Sequence, residues 1–147
     1  MNGRKEFGMQ VESERTPFIN RVRAVGYVRD EDMAFEALVL ADEVKNPRWS
    51  LEFQRPLDPD DQDRILGLDT YCLVFPSGET AYQCLARVQI SKAKLRLVLT
   101  EEAAARLGLT TSLDFILELS PTDFEEMTAG LRGILKGQRG EPLIVLE

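Results

Sequence analysis

The residues with the most evident capacity for chemistry are aspartates in one short stretch of the chain. Positions 58–69 hold five carboxylates, namely Asp58, Asp60, Asp61, Asp63 and Asp69. Such a cluster allows three functions: a divalent cation site, paired carboxylates for acid–base hydrolysis, and an acidic patch that meets a basic protein. The spacing lacks the central glycine and closing glutamate of an EF-hand loop. The acidic patch is therefore favoured among the three, and helix capping with solvated charge remains open beside it.

Histidine is absent from the sequence, and this removes whole classes of catalytic site. No Ser-His-Asp or Cys-His pair and no histidine-ligated zinc site exists, and two cysteines cannot build a four-cysteine site. No glycine-rich phosphate-binding loop is found. We therefore expect no metal and no cofactor. The catalytic alternative that stays open is a small enzyme that depends on carboxylates.

The charge balance indicates which partners suit the chain. Lys and Arg number 18 against 25 Asp and Glu, for a net charge of −7. A negative surface disfavours nucleic acid and anionic membrane and favours a basic partner. The first residues lack the apolar core of a secretion signal, no apolar run approaches the ~20 residues of a membrane helix, and cysteine is scarce. These features predict a soluble cytoplasmic protein.

The apolar periodicity predicts the elements that must position these side chains. Alternation of apolar and polar residues predicts strands at 19–28, 33–41, 49–53, 70–75, 80–90, 95–99 and 113–119, with an edge strand at 142–146. Asp58 as N-cap and Pro59 as first residue predict a short helix that ends at Gly67. Thr100 caps a second helix, and Ser120 caps a third that ends near Lys136.

These elements predict an α+β fold with one core. A mostly antiparallel curved sheet or partial barrel should carry the short helix and a C-terminal amphipathic helix packed on it. In that helix a single stripe should face the sheet, consisting of Phe124, Met127, Leu131 and Ile134. We expect residues 1–16 to form a disordered arm and residues 17–147 to form a single domain.

A hairpin is predicted around the turn from Pro76 to Glu79. A three-residue loop at 77–79 would place Cys72 directly opposite Cys84 on the two arms. Free cysteine is usually a small buried hydrophobe, so both are expected to be reduced thiols of the core without a functional role. Trp49 is expected to be a core residue as well.

Two sequence strings resemble a known family. The string FQRPLDPDDQD at 53–63 is followed by LGLDTYC at 66–72, and LVLTEEAA at 97–104 is followed by LGL at 107–109. Together they resemble the immunity protein 10 family of bacterial polymorphic toxin systems, over about residues 19–136. Leu68 stands where that family usually has methionine.

The resemblance implies a cytoplasmic protein that binds and neutralises a cognate toxin, without enzymatic activity of its own. A basic toxin, for example a nuclease, would match the acidic chain. The candidate toxin-binding residues all come from one segment and its neighbour, namely Asp58, Asp60, Asp61, Asp63, Asp69 and Tyr71. A carboxylate-dependent enzyme and a regulatory domain with a non-toxin partner remain the alternatives, and the oligomeric state is left open.

Overall fold

The computed structural model describes residues 20–147. The predicted disordered arm, residues 1–16, lies outside this range. The prediction of one domain starting at residue 17 stays a prediction.

The described chain folds into ten strands and three helices. In chain order these are β1 (Arg21–Val22), β2 (Ala24–Asp30), β3 (Phe35–Ala41), β4 (Ser50–Pro56), α1 (Asp61–Leu66), β5 (Cys72–Val74), β6 (Thr80–Tyr82), β7 (Leu85–Ile90), β8 (Lys94–Leu99), α2 (Glu101–Leu107), β9 (Ser112–Leu117), α3 (Pro121–Leu135) and β10 (Leu143–Leu146). One sheet has the order β2-β3-β4-β5-β6 and the other has the order β1-β9-β8-β7-β10. The first sheet is antiparallel throughout, whereas in the second β1 and β10 pair in parallel with β9 and β7.

The α+β class and the mostly antiparallel pairing are confirmed, but the described strands form two open sheets rather than one. Two of the predicted strands are each divided between the sheets. The first breaks at Arg23, between β1 and β2, and the second breaks after Tyr82, between β6 and β7. At the second break Gln83 has a φ of 53°, which turns the chain out of one sheet and into the other. Because alternation continues through both breaks, periodicity alone could not place them.

The C-terminal helix α3 packs on β2, β3 and β4 of the first sheet. It begins as predicted, because the side chain of Ser120 accepts a 3.1 Å hydrogen bond from the Asp123 N–H and Pro121 occupies the first turn. Met127, Leu131 and Ile134 are fully buried, and Phe124 packs at the edge of the core. The predicted stripe is therefore confirmed.

Two glycines of α3 offer a matched test of how closely the helix approaches the sheet. A Cβ at Gly130 would lie 2.9 Å from Leu38 Cδ1 in the core, whereas a Cβ at Gly133 would meet nothing within 4 Å. Gly133→Ala should raise the free energy of unfolding by about 0.5–1 kcal/mol, since alanine favours the helix more than glycine does. Gly130→Ala gains the same preference but overpacks Leu38, so it should be less stable than Gly133→Ala by about 1–3 kcal/mol.

Urea denaturation of both variants beside the wild type measures these differences. Equal stability of the two alanine variants would show that α3 does not lie this close to β3.

Candidate functional site

The acidic segment forms the short helix α1, which begins two residues later than predicted. Asp60, not Asp58, is the N-cap: its side chain accepts from the Asp63 N–H at 2.8 Å, and the Asp63 side chain accepts from the Asp60 N–H at 3.1 Å. This reciprocal capping box satisfies two otherwise unpaired N–H groups at once. Pro59 consequently precedes the helix instead of opening it. The prediction of Asp58 as the cap was wrong, because only the Asp60–Asp63 pair closes the box.

The C-terminal end of α1 is fixed as firmly as its beginning. Gly67 takes a φ of 77°, which favours glycine. Its N–H donates to Arg64 O at 3.2 Å, and the Leu68 N–H donates to Asp63 O at 2.8 Å. These are the two bonds of a Schellman motif. Local hydrogen bonds at both ends therefore hold a helix that is only six residues long.

The side chains of α1 project from the protein. Within residues 20–147, none of the residues of this helix is fully buried. The Asp61 side chain is 97% exposed, although it accepts a hydrogen bond from Arg64 at 2.8 Å. Asp58 and Asp60 are also exposed, and Asp63 is half-buried. The structure thus brings four of the six candidate residues together on one projecting turn.

The other two candidate residues point into the protein. Asp69 is bonded to both terminal nitrogens of Arg139, one of them at 3.4 Å. Tyr71 is fully buried. Its hydroxyl donates to Gly140 O at 2.8 Å and accepts from the Leu85 N–H at 3.1 Å. Burial raises the pKa of Tyr71 to about 12. Tyr71 thus offers no exposed side-chain surface to a partner in this conformation.

The end of the LGLDTYC string therefore anchors the segment after α3. Between Asp69 and Tyr71, the Thr70 hydroxyl donates to Arg139 O at 2.7 Å. Three successive side chains thus hold two residues, Arg139 and Gly140, that are distant in sequence. This part of the string supports the fold, whereas the aspartates before it face solvent.

The predicted pairing of the two cysteines was wrong. Cys72 lies opposite Tyr82, two residues before Cys84. The hairpin loop is 76–78 rather than 77–79, because the Phe75 N–H donates to Glu79 O at 2.8 Å. Pro76 lacks an N–H and belongs to the loop. The chain then leaves the sheet before Cys84, which lies in the core beside β7.

Both cysteines are free thiols, as predicted, and both are buried. Burial raises the pKa of Cys84 to about 12 and also raises that of Cys72. A thiol needs its thiolate form to act as a nucleophile, so this environment opposes such a role at neutral pH. The absence of any function for the cysteines remains a prediction.

Glu36 is a buried carboxylate that the sequence analysis does not identify. It lies in β3 and accepts hydrogen bonds from the Tyr27 hydroxyl and from Arg55 Nε, the latter at 2.6 Å, with Arg29 3.9 Å away. Burial alone would raise the pKa of Glu36, but the bonds from Tyr27 and Arg55 and the two positive charges outweigh it and lower the pKa. The sequence does contain a sign of this buried charge, because Glu36 is the single glutamate in the otherwise apolar run 33–41.

A second buried carboxylate, Asp42, closes the loop that follows β3. It accepts from the Arg48 N–H at 2.9 Å and from Arg48 Nε at 3.1 Å. Burial opposes its charge, but these bonds and one from the Trp49 N–H lower its pKa overall. Trp49 itself packs against Phe115 at a ring distance of 5.8 Å, at the edge of the core.

Acid should destabilise the protein through these two carboxylates. A carboxyl whose pKa is lower in the folded protein stabilises the fold above its unfolded value, and this contribution is lost as pH falls through the folded value. The free energy of unfolding should therefore decline as pH drops below about 4.3, the ordinary value of glutamate. Glu36→Gln should be less stable than wild type at neutral pH and should decline less steeply in acid.

Urea denaturation at several pH values between neutral and acid checks this expectation, with the exposed Glu126→Gln as the control. A Glu36→Gln profile parallel to that of the wild type would contradict it.

The rest of the described chain holds one further polar arrangement, a surface cavity, and lacks a metal-binding group of side chains. Within residues 20–147, no group of three or more His, Cys, Asp and Glu could hold a metal ion. A cavity of about 210 Å³ lies on the second sheet, lined by Gln89, Ser91, Lys94, Arg96 and Glu147. Its Arg96 is paired with Asp114 at 2.6 Å. No helix of the described chain is long and apolar enough to span a membrane.

The fold and the projecting helix define an acidic α+β protein that presents an exposed, acidic helix capped at both ends. The family model described as immunity protein 10 matches residues 21–125, and the chain belongs to this family. The match includes α1 and the complete LGLDTYC string, so the resemblance seen in the sequence is confirmed. No curated protein and no solved structure was found to match the chain.

Proposed function

We propose that this protein binds a cognate toxin domain in the cytoplasm and neutralises it by occupying its surface, without catalysis. Membership in the immunity protein 10 family over residues 21–125 is the observation that carries this proposal. The net charge of −7 adds to it, since acidic inhibitors associate rapidly with basic targets. A basic toxin, such as one that acts on nucleic acid, fits this charge best.

We place the first electrostatic contact at the aspartates of α1. Asp58, Asp60 and Asp61 are exposed, and Asp63 is beside them. Asp69 and Tyr71 contribute indirectly, because their bonds to Arg139 and Gly140 hold the residues that follow α1. The capping box accounts for Asp60 and Asp63, and the bond from Arg64 accounts for Asp61, whereas neither of them uses Asp58.

Neutralisation is tested by growth. A candidate toxin domain, taken from a reading frame that neighbours the gene of this protein, is expressed from an inducible promoter with and without this protein. Growth should stop without the protein and resume when the protein is co-expressed. Continued arrest in the presence of soluble, folded protein would refute the proposed function.

The aspartates are tested by removing their charge alone. The triple variant combines Asp60→Asn, Asp61→Asn and Asp63→Asn. Asparagine caps a helix about as well as aspartate, so α1 should keep both of its ends. The association rate with the purified toxin domain should fall roughly tenfold at low salt, and the difference should shrink as salt screens the charges.

The matched control removes three exposed charges elsewhere, with Glu101→Gln, Glu102→Gln and Glu126→Gln combined. Both triple variants have the same net charge, so a general effect of charge would slow both equally. Equal association rates for the two variants would exclude α1 as the local contact.

The two buried carboxylates do not supply the carboxylate-dependent enzyme with a general acid at neutral pH. Glu36 and Asp42 are paired with arginines and have lowered pKa values. A general acid at neutral pH needs the opposite shift. The regulatory domain with a non-toxin partner is separated from the proposed function by the growth experiment.

A further inference from the structure

Two large apolar side chains stand exposed at the C-terminal end of α1. Ile65 is 83% exposed and Leu66 is 58% exposed, although each belongs to a residue type that is normally buried. They are adjacent in sequence and directly follow the acidic first turn of the helix. Within residues 20–147, neither of them is packed into the core.

Folding gives little reason for this choice of residues. Isoleucine is a poorer helix former than alanine, lysine or glutamate, because its branched Cβ restricts the side chain in a helix. The capping box and the Schellman motif already define both ends of α1, and neither uses the side chain of Ile65 or Leu66. A polar residue at either position would leave the hydrogen bonds at both ends of α1 in place and would lower the exposed apolar area.

The two caps also suit this turn to binding. An isolated helix of six residues is unstable in water, so its hydrogen-bonded ends are what keep α1 formed. A side chain presented by a preformed element loses little conformational entropy on binding. Ile65 and Leu66 are thus exposed apolar side chains on a helix whose two ends are held by hydrogen bonds.

The charges around Ile65 and Leu66 indicate which kind of partner surface would complement them. Asp58, Asp60, Asp61 and Asp63 precede the pair, and Arg64, the one cation of the helix, is already bonded to Asp61. A second copy of this chain would bring the same carboxylates face to face in a symmetric dimer. An anionic membrane would be repelled for the same reason. The complementary surface is an apolar pocket with a rim of lysine and arginine.

We propose that Ile65 and Leu66 are the apolar anchor of the toxin interface and insert into a pocket of the toxin domain whose rim is basic. This inference rests on the proposed function and deepens it. The aspartates govern how fast the complex forms, and the anchor governs how slowly it dissociates. Such a division follows because charge acts at long range, whereas apolar burial acts only on contact.

The test is Ile65→Ala combined with Leu66→Ala, with binding measured to the candidate toxin domain that the growth experiment identifies. The dissociation rate should rise by roughly 30-fold, as for a binding hot spot, whereas the association rate should change by less than about threefold. Alanine is the best helix former, so α1 should persist. Circular dichroism and urea denaturation check that the variant remains folded.

The matched control combines Val44→Ala with Leu143→Ala. Val44 is 81% exposed and Leu143 is 58% exposed, so the same kinds of side chain are removed at nearly identical exposure. Val44 lies between β3 and β4, and Leu143 lies on β10. This control should dissociate at the wild-type rate, which separates the position of the anchor from a general loss of apolar surface.

A second variant, Ile65→Lys, keeps the test decisive if the alanine pair proves unstable. Lysine favours the helix and suits an exposed position, but it would place a positive charge against a basic rim. Binding should then weaken at least as much as in the alanine pair.

Wild-type dissociation in folded variants of both kinds would overturn the anchor while leaving the proposed function intact. Failure of the wild-type protein to bind the toxin or to restore growth would remove the proposed function, and the anchor with it. Loss of self-association in place of toxin binding, seen by sedimentation, would also overturn the anchor.

Discussion

Replacing Leu131 with alanine is expected to lower the free energy of unfolding by about 2–5 kcal/mol, the usual range for truncating a buried leucine. Leu131 is fully buried where α3 packs on the first sheet, between the equally buried Met127 and Ile134. The cavity left by the missing methyl groups adds to the lost burial, because close packing on both sides allows little collapse. Urea or guanidinium denaturation measures the change directly.

Glu126→Ala on the exposed face of the same helix is the control for helix propensity. It should change the free energy of unfolding by less than about 0.5 kcal/mol, as surface substitutions usually do. A loss below about 0.5 kcal/mol for Leu131→Ala itself would mean that α3 presents a different face to the sheet.

Tyr71→Ala should be at least as damaging, with a loss of about 3–5 kcal/mol, since truncation of a buried aromatic leaves a large cavity. Tyr71 is the largest fully buried side chain of the described chain. Its hydroxyl also joins two distant backbone groups, the carbonyl of Gly140 and the N–H of Leu85. Tyr71→Phe removes only that hydroxyl and should cost about 1–3 kcal/mol, the range for a buried polar group that loses its partner.

The Tyr71→Phe variant also tests whether Tyr71 contacts the toxin or only supports the fold. Folded Tyr71→Phe protein should bind the toxin domain with wild-type kinetics, because the ring has no exposed surface. The exposed Tyr82→Phe is the matched control for removal of a tyrosine hydroxyl near the same hairpin. Impaired binding by Tyr71→Phe with unchanged stability would place this residue in direct contact with the partner.

The structure divides the candidate segment by exposure. Asp58, Asp60, Asp61, Ile65 and Leu66 face solvent. Asp69, Thr70 and Tyr71 hold the segment after α3. The segment 58–72 is therefore exposed in its first half and supports the fold in its second half. This division makes the charge, anchor and core substitutions separable by experiment.

The sequence by itself determined the features that depend on neighbours along the chain. The caps at Thr100 and Ser120, the ends at Gly67 and Gly108, and the apolar stripe of α3 all follow from spacings of a few residues. Alternation likewise placed most strands, because burial on one face of a sheet repeats every second residue. The acidic character of the 58–69 segment and the family resemblance were also readable from the residues alone. The cap of α1 at Asp60 is also local, because its box closes with Asp63 three residues along, although the sequence prediction placed the cap at Asp58.

The tertiary structure decided where residues distant in the chain meet. Alternation continues through Arg23 and Gln83, so the passage from one sheet to the other depends on long-range pairing. Glu36 is tolerated in a buried strand because Arg55 and Tyr27 lie on the neighbouring strands. Tyr71 is buried because the loop at Gly140, sixty-nine residues further along the chain, supplies the carbonyl that its hydroxyl requires.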